Sequence, residues 1–102
     1  MDNKRTASLL GLAQKAGKLK TGEGAILSAI RSGGAKLVVV APDASDNTRK
    51  IYRDKCSFYG VPIREALPRE TLSRAIGRSN RPAAAVTDEG LSSLILKSIE
   101  TQ

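Results

Sequence analysis

The residues best placed to do chemistry lie in one run, Lys18 to Asp43, where Thr21-Gly22-Glu23-Gly24-Ala25 opens a helical pattern. The run reads as a short strand, a glycine turn, a helix, a second turn at Gly33-Gly34 and a buried strand. A helix that starts on glycines presents backbone N–H groups with no intrahelical partner, at the electropositive end of the helix dipole. Lys18, Lys20 and Lys36 flank these elements, and Gly24, Ser28 and Arg31 share one helical face at i, i+4 and i+7. Lys18, Lys20, Arg31 and Lys36 are expected to cluster around this helix end and its exposed face, and the chemistry offered is the binding of an anion. That anion is a nucleotide, the phosphates of RNA, or a solvent ion.

Gly22–Gly24 matches only half of a dinucleotide-binding fingerprint. The third glycine falls at Leu27, and the strand before the turn is no more than Leu19 to Thr21. Asp43 stands about 20 residues on, the place of a ribose-binding acid, but a phosphate-loop Gly-Lys-Thr/Ser ending is missing. A nucleotide or small molecule at this turn is the minor reading.

Composition narrows the choice. Seventeen Lys and Arg against ten Asp and Glu leave a formal charge of +7 on 102 residues. Excess charge speaks of partners rather than of fold, and nucleic acid comes first, before an anionic membrane surface or an acidic protein. With no His and only Cys56, the chain excludes Ser-His-Asp and Cys-His nucleophile systems and zinc sites built on His or Cys. No enzyme, cofactor or metal is expected. A lone cysteine on a core stripe reads as a small buried hydrophobe, and it fits a reducing compartment. No apolar run approaches the about 20 residues of a membrane span, and Met-Asp-Asn-Lys-Arg has no signal-peptide character. A cytoplasmic location is expected. The three aromatics, Tyr52, Phe58 and Tyr59, fall in one helical segment and leave no aromatic sheet for base stacking. The expectation is a structured RNA read by shape, phosphates and a few base edges, and not DNA.

The elements that must position these groups alternate along the chain. A first helix, Asn3 to Ala16, carries Leu9, Leu12, Ala13 and Ala16 as its apolar stripe, with Asp2 or Asn3 as cap. The strand Leu19–Thr21 and the helix Gly22–Ser32 follow, with Ile26, Ala29 and Ile30 inward. Leu37–Ala41 is a doubly covered strand. The next helix, Asp46–Tyr59, is capped by Ser45 or Asp46 and buries Ile51, Tyr52, Cys56 and Tyr59. On its outer face Lys50 stands four residues from both Asp46 and Asp54, which predicts self-neutralising pairs. Strand Val61–Ala66 leads to a short helix opened by Pro68, with Leu72, Ala75 and Ile76 inward. The basic loop Arg78–Pro82 enters the strand Ala83–Thr87. Thr87 is placed to cap a last helix packed down by Leu91, Leu94, Ile95 and Ile99. Gly17, Gly33, Gly60 and Gly77 are the helix stops. This alternation predicts one domain over residues 1–102, an α/β chain folded as a three-layer α/β/α sandwich around a sheet of about four strands.

In order along the chain, Gly33-Gly34-Ala35-Lys36-Leu37-Val38-Val39-Val40-Ala41 with Asp43, Gly60-Val61-Pro62, Leu72-x-x-Ala75-Ile76-Gly77 and Arg81-Pro82-Ala83 make a recognisable series. The series resembles the ribosomal protein superfamily named for "L seven Ae" and "L thirty e", the kink-turn RNA binders, in its small bacterial branch. The resemblance implies an α/β/α sandwich and RNA, ribosomal or otherwise structured, as partner, with ribosomal proteins as further neighbours. It also implies that the start of the second helix touches sheared G·A pairs through an Asn-Glu-x-x-Lys signature. Here those positions hold Gly24, Ala25 and Ser28, so the polar heads are gone; Glu23 is the nearby acceptor and Arg31 a partial substitute for the lysine. The family's second contact corresponds to Glu65, Ala66, Leu67 and Pro68, where Leu67 either offers an apolar platform to an extruded base or turns inward as a hydrophobic staple. Arg78 and Arg81 would add phosphate contacts. A protein-interaction module, with a partner helix seated on the Gly24–Ser28 face, is the alternative to RNA.

Overall fold

The computed structural model of the chain describes residues 3–100. Five helices alternate with four strands: α1 (Asn3–Lys15), β1 (Leu19–Lys20), α2 (Glu23–Ser32), β2 (Leu37–Val40), α3 (Asp46–Tyr59), β3 (Ile63–Glu65), α4 (Arg69–Ala75), β4 (Ala83–Val86) and α5 (Glu89–Glu100). The strands form one sheet in the order β1-β4-β2-β3. β4 is antiparallel to both β1 and β2, with Lys20 opposite Ala85 and Val40 opposite Ala83; β3 runs parallel to β2, with Val38 opposite Ile63.

Because side chains alternate across a sheet, β2 and β4 supply two cores at once. Val38, Val40, Ala83 and Ala85 face α2 and α3, where Ile26, Ala29, Ile30, Tyr52 and Cys56 close over them. Leu37, Val39, Ala84 and Val86 face the other way, against Leu10 and Ala13 of α1, Leu72 of α4 and Ile95 of α5. Every residue of β2 and β4 is buried, which is why both read as unbroken apolar runs. The three-layer α/β/α sandwich follows directly.

Several details differ from the sequence reading. In α1 the buried line is Thr6, Leu10 and Ala13, while Leu12 is 54% exposed. The stripe is rotated because Thr6, though polar, is drawn inward by a 2.7 Å hydrogen bond to Ser98 of α5. Gly11 faces α4, where a Cβ would sit 3.0 Å from the Ala75 carbonyl oxygen. In α3 only Tyr52 and Cys56 are buried, and Tyr59 is turned out. Lys50 pairs with Asp54 at 2.7 Å, but Asp46 is taken by Arg49. Ser45 does cap α3, its hydroxyl accepting from the Thr48 N–H. Asp88 rather than Thr87 caps α5, its carboxylate accepting the Leu91 N–H at 2.8 Å. The cap expected from Asp2 lies outside the described residues. Gly17, Gly33, Gly60 and Gly77 all stand at positive φ, as helix stops there require.

Candidate nucleic-acid interface

β1, β2 and β3 all run the same way and β4 runs back, so the sandwich has two chemically distinct edges. At the upper edge β1, β2 and β3 finish, β4 begins, and α2, α3 and α4 start. At the lower edge α1, α2 and α3 finish and α5 starts.

The upper edge collects the glycine turn. Gly22 is the N-cap of α2, extended at φ −83° and ψ 150°, and no side chain caps the helix. The first amides of α2 are therefore left for an external acceptor, with Gly24 open around its Cα: a Cβ there would meet nothing within 4 Å. Glu23 stands exposed in the first turn. Its carboxylate adds to the effect of burial in pushing the Tyr52 phenol up to about 12. On the exposed side of α2, Lys20 of the edge strand, Ala25, Ser28 and Ser32 line a shallow groove of about 320 Å³ that ends at Gly34 and Thr87.

The same edge carries a second group, in which Asp43, Arg78 and Arg81 were expected from the sequence and Arg69 and Asn80 were not. The Asp43 carboxylate, weighed above as a ribose ligand, instead accepts the Arg69 N–H at 2.8 Å and so caps α4. The Arg69 guanidinium donates to the Asn80 side-chain oxygen at 3.2 Å. Asn80 holds φ 52°, the one non-glycine at positive φ among the described residues. Arg81 is held by its own backbone: its N–H donates to the Ser73 hydroxyl at 2.7 Å and its guanidinium to the Ser79 carbonyl. The Nε atoms of Arg69 and Arg81 are buried without a partner. A guanidinium has five N–H donors in a rigid fork, so both arginines are fixed in place with most of their donors uncommitted. Arg78 is exposed in the same loop. The only sequence signal for Arg69 was its place after Pro68, at the first residue of a short helix.

Three expectations about this site are corrected. Lys18, Arg31 and Lys36 do not gather at the start of α2. The Lys18 carbonyl accepts from Thr87 at the lower edge, Arg31 is in the last turn of α2, and the Lys36 ammonium donates to the Gly33 carbonyl past its end. The ten-residue α2 separates Arg31 and Lys36 from Gly22 by about 15 Å, and β1 separates Lys18 from it. The cause is topological, since a strand that runs up and a helix that runs down place residues adjacent in sequence at opposite ends. Secondly, Leu67 is 0% exposed and packs with Leu72 and Ile76 in the core below the sheet, so it offers no platform to an extruded base. Thirdly, Glu65, which the family resemblance places at the second contact, is paired with Arg49 and Arg53 of α3.

Chemically the edge offers backbone N–H groups and guanidinium donors, which suit an anion. Among the described residues no group of three His, Cys, Asp or Glu could hold a metal ion. Cys56 is buried, and burial pushes its thiol up to about 11, away from reactive thiolate character. No helix among the described residues is long and apolar enough to cross a membrane.

A model of the ribosomal protein L7Ae/L30e/S12e/Gadd45 family matches residues 4–96. The chain is 41% identical over 92 residues to a Bacillus subtilis protein named RNA-binding protein YlxQ, covering 90% of this chain and 92% of that one. An Enterococcus faecium protein of the same name is 38% identical over 97% of this chain and 95% of its own. Among solved structures, a Bacillus halodurans protein of unknown function superposes with a TM-score of 0.90 at 38% identity, over 94% and 97% of the two chains. A 15.5 kD RNA binding protein of Giardia lamblia gives 0.78 at 21% identity, over 99% and 88%, and bears on the fold alone.

Proposed function

Since the chain belongs to the ribosomal protein L7Ae/L30e/S12e/Gadd45 family, we propose that it is a non-enzymatic RNA-binding protein whose upper edge receives a structured RNA of ribosomal or kink-turn type. The observation that carries this reading is that the uncapped start of α2 and the residues Arg69 and Arg81 stand on the same edge of the sandwich. Bare amides and arginine forks both suit phosphate oxygens. Two bacterial relatives named as RNA-binding proteins, each covered almost in full, support it, and so does the charge of +7.

The mode differs from signature-bearing kink-turn readers. Gly24, Ala25 and Ser28 cannot make the side-chain contacts that Asn, Glu and Lys make, and each lost bidentate contact costs about 1–3 kcal/mol of discrimination. What remains is phosphate-led binding, in which Gly22–Gly24 lets the RNA backbone come close and Lys20, Arg69, Arg78 and Arg81 hold it.

A titration of a kink-turn RNA over a series of salt concentrations tests this. Lys20→Ala and Arg69→Ala are expected to weaken binding and to lower the slope of log K against log salt by about 0.7–0.9 each. Slopes identical to wild type would remove the upper edge from the interface. Failure of the wild-type chain to bind any RNA at low salt would overturn the reading itself.

A further inference from the structure

The cations that the upper edge lacks stand at the lower one, and they do not stand alone. Lys18, Arg31 and Lys36 are exposed there, where α2 and α3 end side by side. At the end of α3, Phe58 is 80% exposed and Tyr59 41% exposed. The chain has one Phe and two Tyr, so it turns two of its three aromatic rings to solvent. They touch edge to face, with ring centroids 4.9 Å apart and planes at 77°, an arrangement that braces Phe58 while leaving its ring accessible. Ile51, Asp54 and Lys55 complete a shallow depression of about 420 Å³ around the pair. Asp54 is neutralised by Lys50, whereas Lys55, one turn before Tyr59, has no ion-pair partner among the described residues.

Resting on the RNA-binding reading, we infer that this lower edge is a second nucleic-acid contact, a stacking site for unpaired bases of single-stranded RNA. Phe58, braced by Tyr59, is the platform; Lys55, with Arg31 and Lys36 on the neighbouring helix end, carries the phosphates. Ring faces accept any base, so the contact is tolerant of sequence. The choice of occupant follows from charge. A second copy of a chain at +7 would be repelled, and Lys55, which lines the depression together with the rings, matches a polyanion rather than an apolar helix. The carbonyl ends of α2 and α3 work against an anion, and Lys36 offsets this where its ammonium sits on the Gly33 carbonyl at 3.2 Å. An RNA that folds against the upper edge would thus have its single-stranded flank held at the lower one, across a body whose longest extent is 30 Å.

The chain has no Trp, so Phe58→Trp installs a single indole reporter at an exposed position where folding is undisturbed. Titration of that variant with a short unstructured RNA is expected to quench its emission. In the wild-type background Phe58→Ala is expected to weaken the same oligonucleotide about tenfold, with kink-turn RNA trimmed of its flanks unaffected. An unquenched indole at saturating oligonucleotide, or a Phe58→Ala variant with wild-type affinity for it, would overturn the inference. Quenching by raised protein concentration alone would also overturn it, in favour of self-association. If trimmed kink-turn RNA still binds while the indole stays silent, only the lower contact fails. If neither RNA binds, the upper reading fails with it.

Discussion

At the scale of single residues, what decides the site is which polar groups are spoken for. Asp43 and Leu67 show how far sequence can carry such a reading. Asp43 stood at the right distance from the glycine turn to suit a ribose, but no spacing rule could show that the Arg69 N–H would claim its carboxylate from 26 positions away. Asp43→Ala should destabilise the fold by about 1 kcal/mol, as loss of a helix cap does, with Asp43→Asn recovering most of it in urea denaturation. Leu67 had two readings of equal standing, and burial decides between them. Leu67→Ala should cost about 2–5 kcal/mol of stability, the range for a core truncation, and should leave RNA affinity unchanged in whatever fraction remains folded. A variant of undiminished stability would return Leu67 to the surface.

At the scale of elements, the periodic segments were legible to within a residue or two because hydrophobic spacing and glycine stops act locally. Their rotation was not. In α1 the pair Thr6 and Ser98 is joined across 92 positions, a contact that turns a polar residue into a core one and leaves Leu12 outside. In α3, Tyr59 belonged to the expected stripe but is turned to solvent at the last residue of the helix. That helix also sets a dependence on pH. Burial holds Tyr52 at about 12 against 10.0, and Cys56 at about 11 against 9.0. Both groups keep in the folded state a proton that the unfolded chain releases earlier, so their contribution is intact below the unfolded values and is lost as pH rises through the folded ones. The urea midpoint should fall on raising the pH above about 9. Tyr52→Phe should flatten the upper part of that decline, and a decline of unaltered shape would contradict the burial of the phenol.

At the scale of the molecule, the layers were readable from the sequence while the distribution of charge over the surface was not. A strand and the helix after it run in opposite directions, and only the sheet order places Arg31 and Lys36 a helix length away from Gly22, with Lys18 at the far end of β1. What gathers at the upper edge instead is a loop group, Asp43, Arg69, Asn80 and Arg81, brought together by contacts between segments distant in the chain. The upper edge therefore combines an open helix start with fixed guanidinium forks, a frame that suits phosphates and lacks the heads that read bases.

The most direct measurement restores those heads. Gly24, Ala25 and Ser28 are all exposed, so Gly24→Asn, Ala25→Glu and Ser28→Lys can be introduced together without disturbing the core. Equilibrium titration of this triple variant and of the wild-type chain against one kink-turn RNA and one duplex of equal length then compares the two directly. If the start of α2 rests on the RNA, the triple variant gains at least about tenfold for the kink-turn, as regained base contacts should give, with no gain for the duplex. Equal affinity of the two proteins for the kink-turn RNA would contradict the placement of α2 at the interface.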